Sequence, residues 1–284
     1  MLKTISLRKA FLVPGFPVVR ALPTASCRMV GAWCFLDYFG PRDLETSNEF
    51  YIKPHPHIGL QTFTWMLKGS LLHKDSLGNE QIIHPGQVNL MSSGNGIVHS
   101  EQSCTPGILE GLQLWIALPE STRHQAPEFN HLAATPYLEE KGCFIHVMVG
   151  EYDGIVNPLT LNSPLIGLYI VGKGVKTRLR LRPDFEYALM PLDEGSCLDD
   201  VPLTPSNFYY LGTQLRSLNL NIPQDKRMIL LGGEPFNEKI IMWWNFVART
   251  KDELREAVAA WNERRFISEM NDEHEERMQA PLLP

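Results

Sequence analysis

Apolar positions along the first half of the chain come in short runs punctuated by turn residues, the signature of strands. CFLDY (34–38) ends at Gly40-Pro41. QTFTWML (61–67), dense in β-branched and aromatic residues, ends at Lys68-Gly69-Ser70. DSLGNE (75–80) reads as a turn, with Gly78-Asn79 supplying the positive-φ positions a hairpin requires. Further strands are predicted at 81–84 and 88–91, separated by Pro85-Gly86. Gly94-Asn95-Gly96 forms a tight loop, and LQLWIAL (112–118) closes the series. Residues 119–142, polar and Pro-containing, read as a connection between halves. A second series of strands is predicted at 144–149, 165–171, 177–181, 187–190, 206–211, 215–221 and 228–231. Many short strands with regular turns imply a sandwich or barrel.

The period changes near residue 250. Thr250-Lys251-Asp252-Glu253 has the form of a capping box, and Leu254, Val258 and Trp261 recur at helical spacing. A helix over 251–265 is predicted, with Trp261 in a core. Trp243-Trp244, just ahead, reads as an anchor for this segment. Residues 271–284, charged and then apolar, read as loosely held.

Length and composition narrow the picture. The 284 residues are enough for two domains. A hydrophobic fraction of 44% and a charged fraction of 20% exclude a wholly disordered chain. Glycine and proline, 21 of each, fit a turn-rich β protein. A net charge of −6 argues against a nucleic-acid-binding surface. The five cysteines are scattered and lack a C-x-x-C, which argues against a disulfide framework and for the reduced cytoplasm. The apolar run near residue 12 is broken at Pro14, Gly15 and Pro17, too early for a secretory signal. No stretch reaches the roughly 18 apolar residues of a membrane span.

The chemistry concentrates in two short clusters, His55-Pro56-His57 and His99-Ser100-Glu101, among nine histidines. Residues i and i+2 of a strand point to one face. Two such pairs on neighbouring strands would present three imidazoles and a carboxylate to one point. Imidazole suits iron, nickel, copper or zinc, and a carboxylate favours harder ions such as Fe(II) or Mn(II). Four protein ligands leave two positions open on an octahedral ion, as activation of dioxygen or water requires. Between His146 and His274 there is no histidine, so a His-rich metal site is not expected in the second half.

PHPHIG (54–59), HKDSLGN (73–79), PGQV (85–88), MSSGNGIVHSE (91–101), GLQLWIALP (111–119) and LLGGEP (230–235) together resemble the pirin family. The likeness runs from about residue 30 to 265. It implies an all-β chain of two tandem cupins (jelly-roll β-barrels) with a C-terminal helix: residues 1–135 as the metal-binding barrel, 136–284 as a barrel without metal plus the helix. Carried over by motif position, the ligands of a single metal fall on His55, His57, His99 and Glu101. Fe(II) is the ion implied, with Mn, Ni, Co or Zn as alternatives and no further cofactor. The resemblance implies a quercetinase-like dioxygenase acting on a flavonol or related enolic or phenolic substrate. Glu101 would serve as general base.

The alternatives are a metal-bearing, redox-sensing regulatory protein without turnover, and metal-dependent isomerisation or hydrolysis on the same barrel. The expected partners are a small aromatic or enolic molecule and dioxygen, with a protein partner left open. Two positions depart from the family pattern. Ile58 stands where Arg is usual and Gln61 where Glu is usual, both expected near the site. His73 reads as a surface or hydrogen-bonded residue, with a place beside the site as the alternative, and His84 as a turn residue. Trp65, Gln113 and Trp115 read either as pocket wall or as core.

Overall fold

The structure, a computed structural model, describes residues 2–13, 15–47, 49–267, 270 and 276–284. Contacts between Cα atoms divide the chain into two compact units. One comprises Met1–Lys9, Val19–Leu36 and Ala134–Phe236; the other comprises Ala10–Val18, Asp37–Ala133 and Asn237–Pro284. The sequence reading divides the chain once, between residues 135 and 136, and gives the helix to the second half. The contacts instead join residues 237–284, helix included, to residues 37–133.

The unit that holds most of the second half is built on a seven-stranded sheet. Its order is Lys3–Ser6, Asn207–Gly212, Glu186–Pro191, Arg227–Gly233, Leu165–Gly172, Cys143–Val149 and Tyr137–Glu140. A four-stranded sheet accompanies it: Thr177–Arg180, Ser217–Asn221, Cys197–Leu198 and Val201–Pro202. The interior is apolar, with Ile145, Val147, Leu168, Ile170, Leu179, Leu189 and Leu230 among its buried side chains. Burying each such aliphatic side chain is worth about 1.5–3 kcal/mol, so this barrel needs no ion to hold it.

The second unit repeats the plan. Its four-stranded sheet runs Tyr51–His57, Ile97–Ser103, Leu71–Asp75, Glu80–Ile83. Its seven-stranded partner runs Glu128–Leu132, Val88–Ser92, Leu60–Lys68, Gly107–Ala117, Trp33–Leu44, Phe16–Leu22 and Arg8–Val13. Three strands went unpredicted in the first 31 residues, where Gly15, Pro14 and Pro17 read as breakers. Gly15, at φ 81°, makes the turn that joins two of them. Strands Glu128–Leu132 and Tyr137–Glu140 likewise occupy what reads as a connection; their half-exposed, mixed residues hide the alternation.

The helix spans Lys251–Asn262, three residues shorter than predicted. The Thr250 hydroxyl accepts from the Glu253 N–H at 3.2 Å. The Glu253 carboxylate reaches back to the N–H of Arg249 (3.0 Å) rather than that of Thr250, and also binds the Arg123 guanidinium. The helix buries Leu254, Ala257, Val258 and Trp261 against Phe246, Ala248 and Val98.

Of the tail read as loose, residues 271–275 lie outside the described residues, and 276–284 is held. The Met278 N–H donates to the Pro54 carbonyl at 3.0 Å, and the Trp261 indole N–H to the Met278 carbonyl at 2.8 Å. Asn262 exchanges two hydrogen bonds with the Ala280 backbone, and the Trp243 indole donates to Pro281 at 2.8 Å. Charge helps to fix this segment as well: Glu276 pairs with Lys53 at 2.6 Å, and the Arg277 guanidinium donates to the Trp261 carbonyl at 2.7 Å and lies over the Trp261 ring. Among the described residues, no helix is long and apolar enough to cross a membrane.

Candidate metal centre

Register builds the site. The strand Ile97–Ser103 lies between Tyr51–His57 and Leu71–Asp75. On one side His99 stands opposite His55; on the other it stands opposite Asp75, and Glu101 opposite His73. Directly opposed residues share a face of the sheet. His55, His57, His73, Asp75, His99 and Glu101 are each at most 5% exposed. The opposing sheet supplies Thr64, Gln113, Trp115 and Phe129. The Thr64 hydroxyl lies 3.3 Å from Glu101 Oε1 and 3.1 Å from the side-chain oxygen of Gln113. Trp115 meets the His57 ring edge-on at 5.3 Å, and Phe129 stacks on His73 at 4.5 Å.

Hydrogen bonds set the tautomers. His57 Nδ1 lies 3.0 Å from the Asn245 carbonyl and His55 Nδ1 lies 2.9 Å from the Lys53 carbonyl. A carbonyl only accepts, so both Nδ1 atoms carry the proton and both Nε2 atoms keep a lone pair. His57 Nε2 and His99 Nε2 are 3.0 Å apart. Two nitrogens bound at right angles on one ion, each about 2.1 Å from it, would have about that separation.

Burial pushes the His55 imidazole down to about 4, with His73 adding to it and the Lys53 carbonyl opposing. Burial likewise holds His57 and His99 well below the ordinary histidine value, assisted by repulsion from His55 and His73 on both rings and from His57 on His99, with the Asn245 carbonyl opposing at His57. These three rings are neutral lone-pair donors at neutral pH. Burial raises Glu101 above the usual carboxylate range, against the opposing effects of His73 and Thr64. The neutral rings of His55, His57 and His99 bring this buried carboxylate no positive charge, and a divalent cation would supply one.

The donor atoms fall into two overlapping groups, each within 4.8 Å: His55, His57 and His99, and His73, His99 and Glu101. His99 belongs to both. Among the described residues these are the only such groups, and both lie in the unit that carries residues 37–133.

Several expectations change. His73 is not at the surface; it is 3% exposed and hydrogen-bonded beside the site. Ile58 does not face the site. It follows His57 and points the other way, into the apolar cluster under the helix. Gln61 is also on the far side: its neighbours Thr62 and Thr64 face inward, and its amide donates to Ser92 at 2.7 Å. Trp65 shares that outer face, whereas Gln113 and Trp115 line the site. His84 is exposed at a turn, as expected.

Sequence reasoning missed Asp75, Phe129 and the Asn245 carbonyl. The alternation Leu71, His73, Asp75 could have found the first. The last is a backbone atom 188 residues from His57, which no side-chain pattern announces.

Comparison with known proteins places this geometry in context. A family model described as Pirin matches residues 15–116, and one described as the Pirin C-terminal cupin domain matches residues 170–267. A Pseudomonas aeruginosa protein whose name proposes quercetin 2,3-dioxygenase activity is 43% identical over 265 residues, covering 93% of this chain and 84% of its own. A pirin-like protein of Caulobacter vibrioides is 32% identical over 256 residues, covering 87% and 88%. The crystal structure of a quercetin 2,3-dioxygenase from Acinetobacter baumannii superposes with a TM-score of 0.96 at 42% identity, covering 100% of this chain and 96% of its own. A bacterial pirin from Escherichia coli, crystallised with nickel(II), shares the fold at 16% identity, with a TM-score of 0.66 over 83% of this chain and 100% of its own.

Proposed function

The chain belongs to the pirin family, and from that premise we propose a single-metal dioxygenase of the quercetinase kind, acting on a flavonol or a related enolic or phenolic molecule. The observation that carries the reading is the convergence of neutral Nε2 lone pairs from His55, His57 and His99 on one buried face, with Glu101 two residues beyond His99. These four residues would hold the ion, and Fe(II) suits a three-nitrogen, one-oxygen donor set. When bound, Fe(II) would supply the electron exchange with dioxygen and polarise a substrate oxygen.

The chain's own residues do the rest. Lys53 and Asn245 carbonyls fix the orientation of His55 and His57. Glu101, raised by burial, is suited to take the hydroxyl proton of an entering enol or phenol at Oε1 or Oε2. Thr64, within reach of Oε1, would steady that carboxyl group. Trp115 and Phe129 offer flat aromatic surfaces beside the donors, a fit for a planar aromatic substrate. Five free thiols support a reducing, cytoplasmic setting.

The test is metal content of the purified protein, followed by oxygen uptake with quercetin. The expected result is about one ion per chain and oxygen consumption that Glu101→Gln abolishes while weakening metal binding. Metal without oxygen uptake across a flavonol series would leave a metal-bearing binding protein. A fully active Glu101→Gln variant would remove that residue from the chemistry.

A further inference from the structure

The motif HKDSLGN (73–79) has no part in the reading above beyond its turn. Its histidine and its aspartate meet on the inward face: His73 Nε2 lies 3.1 Å from Asp75 Oδ2, both buried. The other nitrogen of His73, Nδ1, lies 3.3 Å from His99 Nδ1. From this geometry we propose that Asp75 and His73 are positioning residues that set the tautomer of His99; the inference rests on the metal-centre reading.

The argument follows the protons. For His99 Nε2 to be a metal ligand, the ring's single proton must sit on Nδ1. The atom facing that proton is His73 Nδ1. It accepts only if His73 carries its own N–H on Nε2, which is the nitrogen that faces Asp75. Asp75 therefore fixes His73, and His73 fixes His99.

The turn explains why Asp75 can do this. Its Oδ1 accepts from the backbone N–H groups of Leu77 (2.9 Å) and Asn79 (3.1 Å) and from the Asn79 amide (3.0 Å). The Asn79 amide also reaches Oδ2 at 2.9 Å. So Oδ1 is wholly committed to the turn, while Oδ2 is shared between the Asn79 amide and His73. Phe129, stacked on the His73 ring with 16° between planes, keeps it from rotating. The Gly78-Asn79 turn thus serves more than chain reversal.

Asp75→Asn tests the chain of contacts with little change in shape. Two backbone N–H donors fixed at the Oδ1 position select the amide oxygen there, with the Asn79 amide keeping only its bond to that oxygen, so the NH2 turns toward His73 Nε2. That makes Nε2 an acceptor, moves the His73 proton to Nδ1, and forces the His99 proton onto Nε2, the ligand atom. His73→Phe is the second variant, keeping an aromatic ring on Phe129 without any nitrogen. Zn(II) alone is the probe, with titration for affinity and long-range 1H–15N NMR for the histidine tautomers.

The expected result is His99 protonated at Nδ1 and bound through Nε2 in the wild type. Affinity should fall about 10- to 100-fold in both variants, the range typical when a ligand loses its hydrogen-bond partner, with one ion per chain still taken up at high Zn(II). In metal-free Asp75→Asn, the His99 proton should move to Nε2, a signature that general loosening of the fold does not produce. Unchanged tautomers and affinity in variants of a protein that binds Zn(II) would overturn the inference alone. A His73 nitrogen found bound to Zn(II) would also overturn it, making His73 a ligand. A wild-type protein that takes up no Zn(II) would overturn the metal reading and the inference with it.

Discussion

The two barrels of this chain share one plan, a seven-stranded sheet with a four-stranded one, and differ in what faces inward. In one, inward positions carry Ile145, Val147, Leu168, Leu179, Leu218 and Leu230. In the other, the corresponding layer holds His55, His57, His73, His99 and Glu101, with Thr64 and Gln113 across from them. The frame is indifferent to this choice, because the backbone ladder satisfies itself in both. The apolar interior is stabilised by burial alone. The polar interior carries a cost, since buried imidazoles and a carboxylate lose water, and that cost is what makes it the candidate functional site.

The sharpest way to break the comparison is to remove one donor. His99→Ala is expected to abolish metal uptake, read by mass spectrometry of the purified protein, while the metal-free variant keeps a wild-type circular dichroism spectrum. An unfolded variant would instead make the ion a structural prop. The matching change in the apolar barrel, Leu168→Ala, should cost about 2–5 kcal/mol in denaturant unfolding, because a cavity replaces a fully buried side chain. Metal content should not change.

Acidity separates the barrels next. His55 is held at about 4, and His57 and His99 well below 6.5. Below the ordinary histidine value near 6.5 the unfolded chain takes up protons that the folded chain refuses. Stability of the metal-free protein should therefore be full above pH 6.5 and decline as pH falls toward 4. Replacing the three histidines by glutamine should flatten that slope in unfolding titrations; an equally steep slope would assign it elsewhere. The smallest effect is expected from Ile58→Arg. That side chain packs toward the helix, so Zn(II) affinity should stay at the wild-type value while stability drops by about 1 kcal/mol. A changed affinity would return residue 58 to the site.

Much of this was legible in residue spacing. H-x-H and H-x-E on adjacent strands placed three imidazoles on one inward face with Glu101, and the capping residues placed the helix start. The same alternation, applied one residue further, turns Ile58 outward, where the structure has it. His73 was hidden by its neighbours, because Lys74 and the turn at 75–79 made a strand look like a loop. The early strands were hidden by Pro14, Gly15 and Pro17. The Asn245 carbonyl could not be read at all, since every residue type carries one and only the folded hairpin Ile241–Trp243 and Phe246–Ala248 brings it to His57.

That last contact bears on how the protein is made. Ribosomes deliver the chain from its N-terminus at about 5–20 residues per second. The donors at 55, 57, 99 and 101 emerge long before Asn245, whose carbonyl orients His57, and before Met278, whose N–H is bonded to Pro54 beside His55. In between, the whole of residues 134–236 must be synthesised and folds into the other unit. A nascent chain of 236 residues already has every residue of the candidate donor set but not the backbone that aims one of them. The cluster takes its final form only after residues 134–236 have been synthesised, which makes its assembly a late event in the life of the chain.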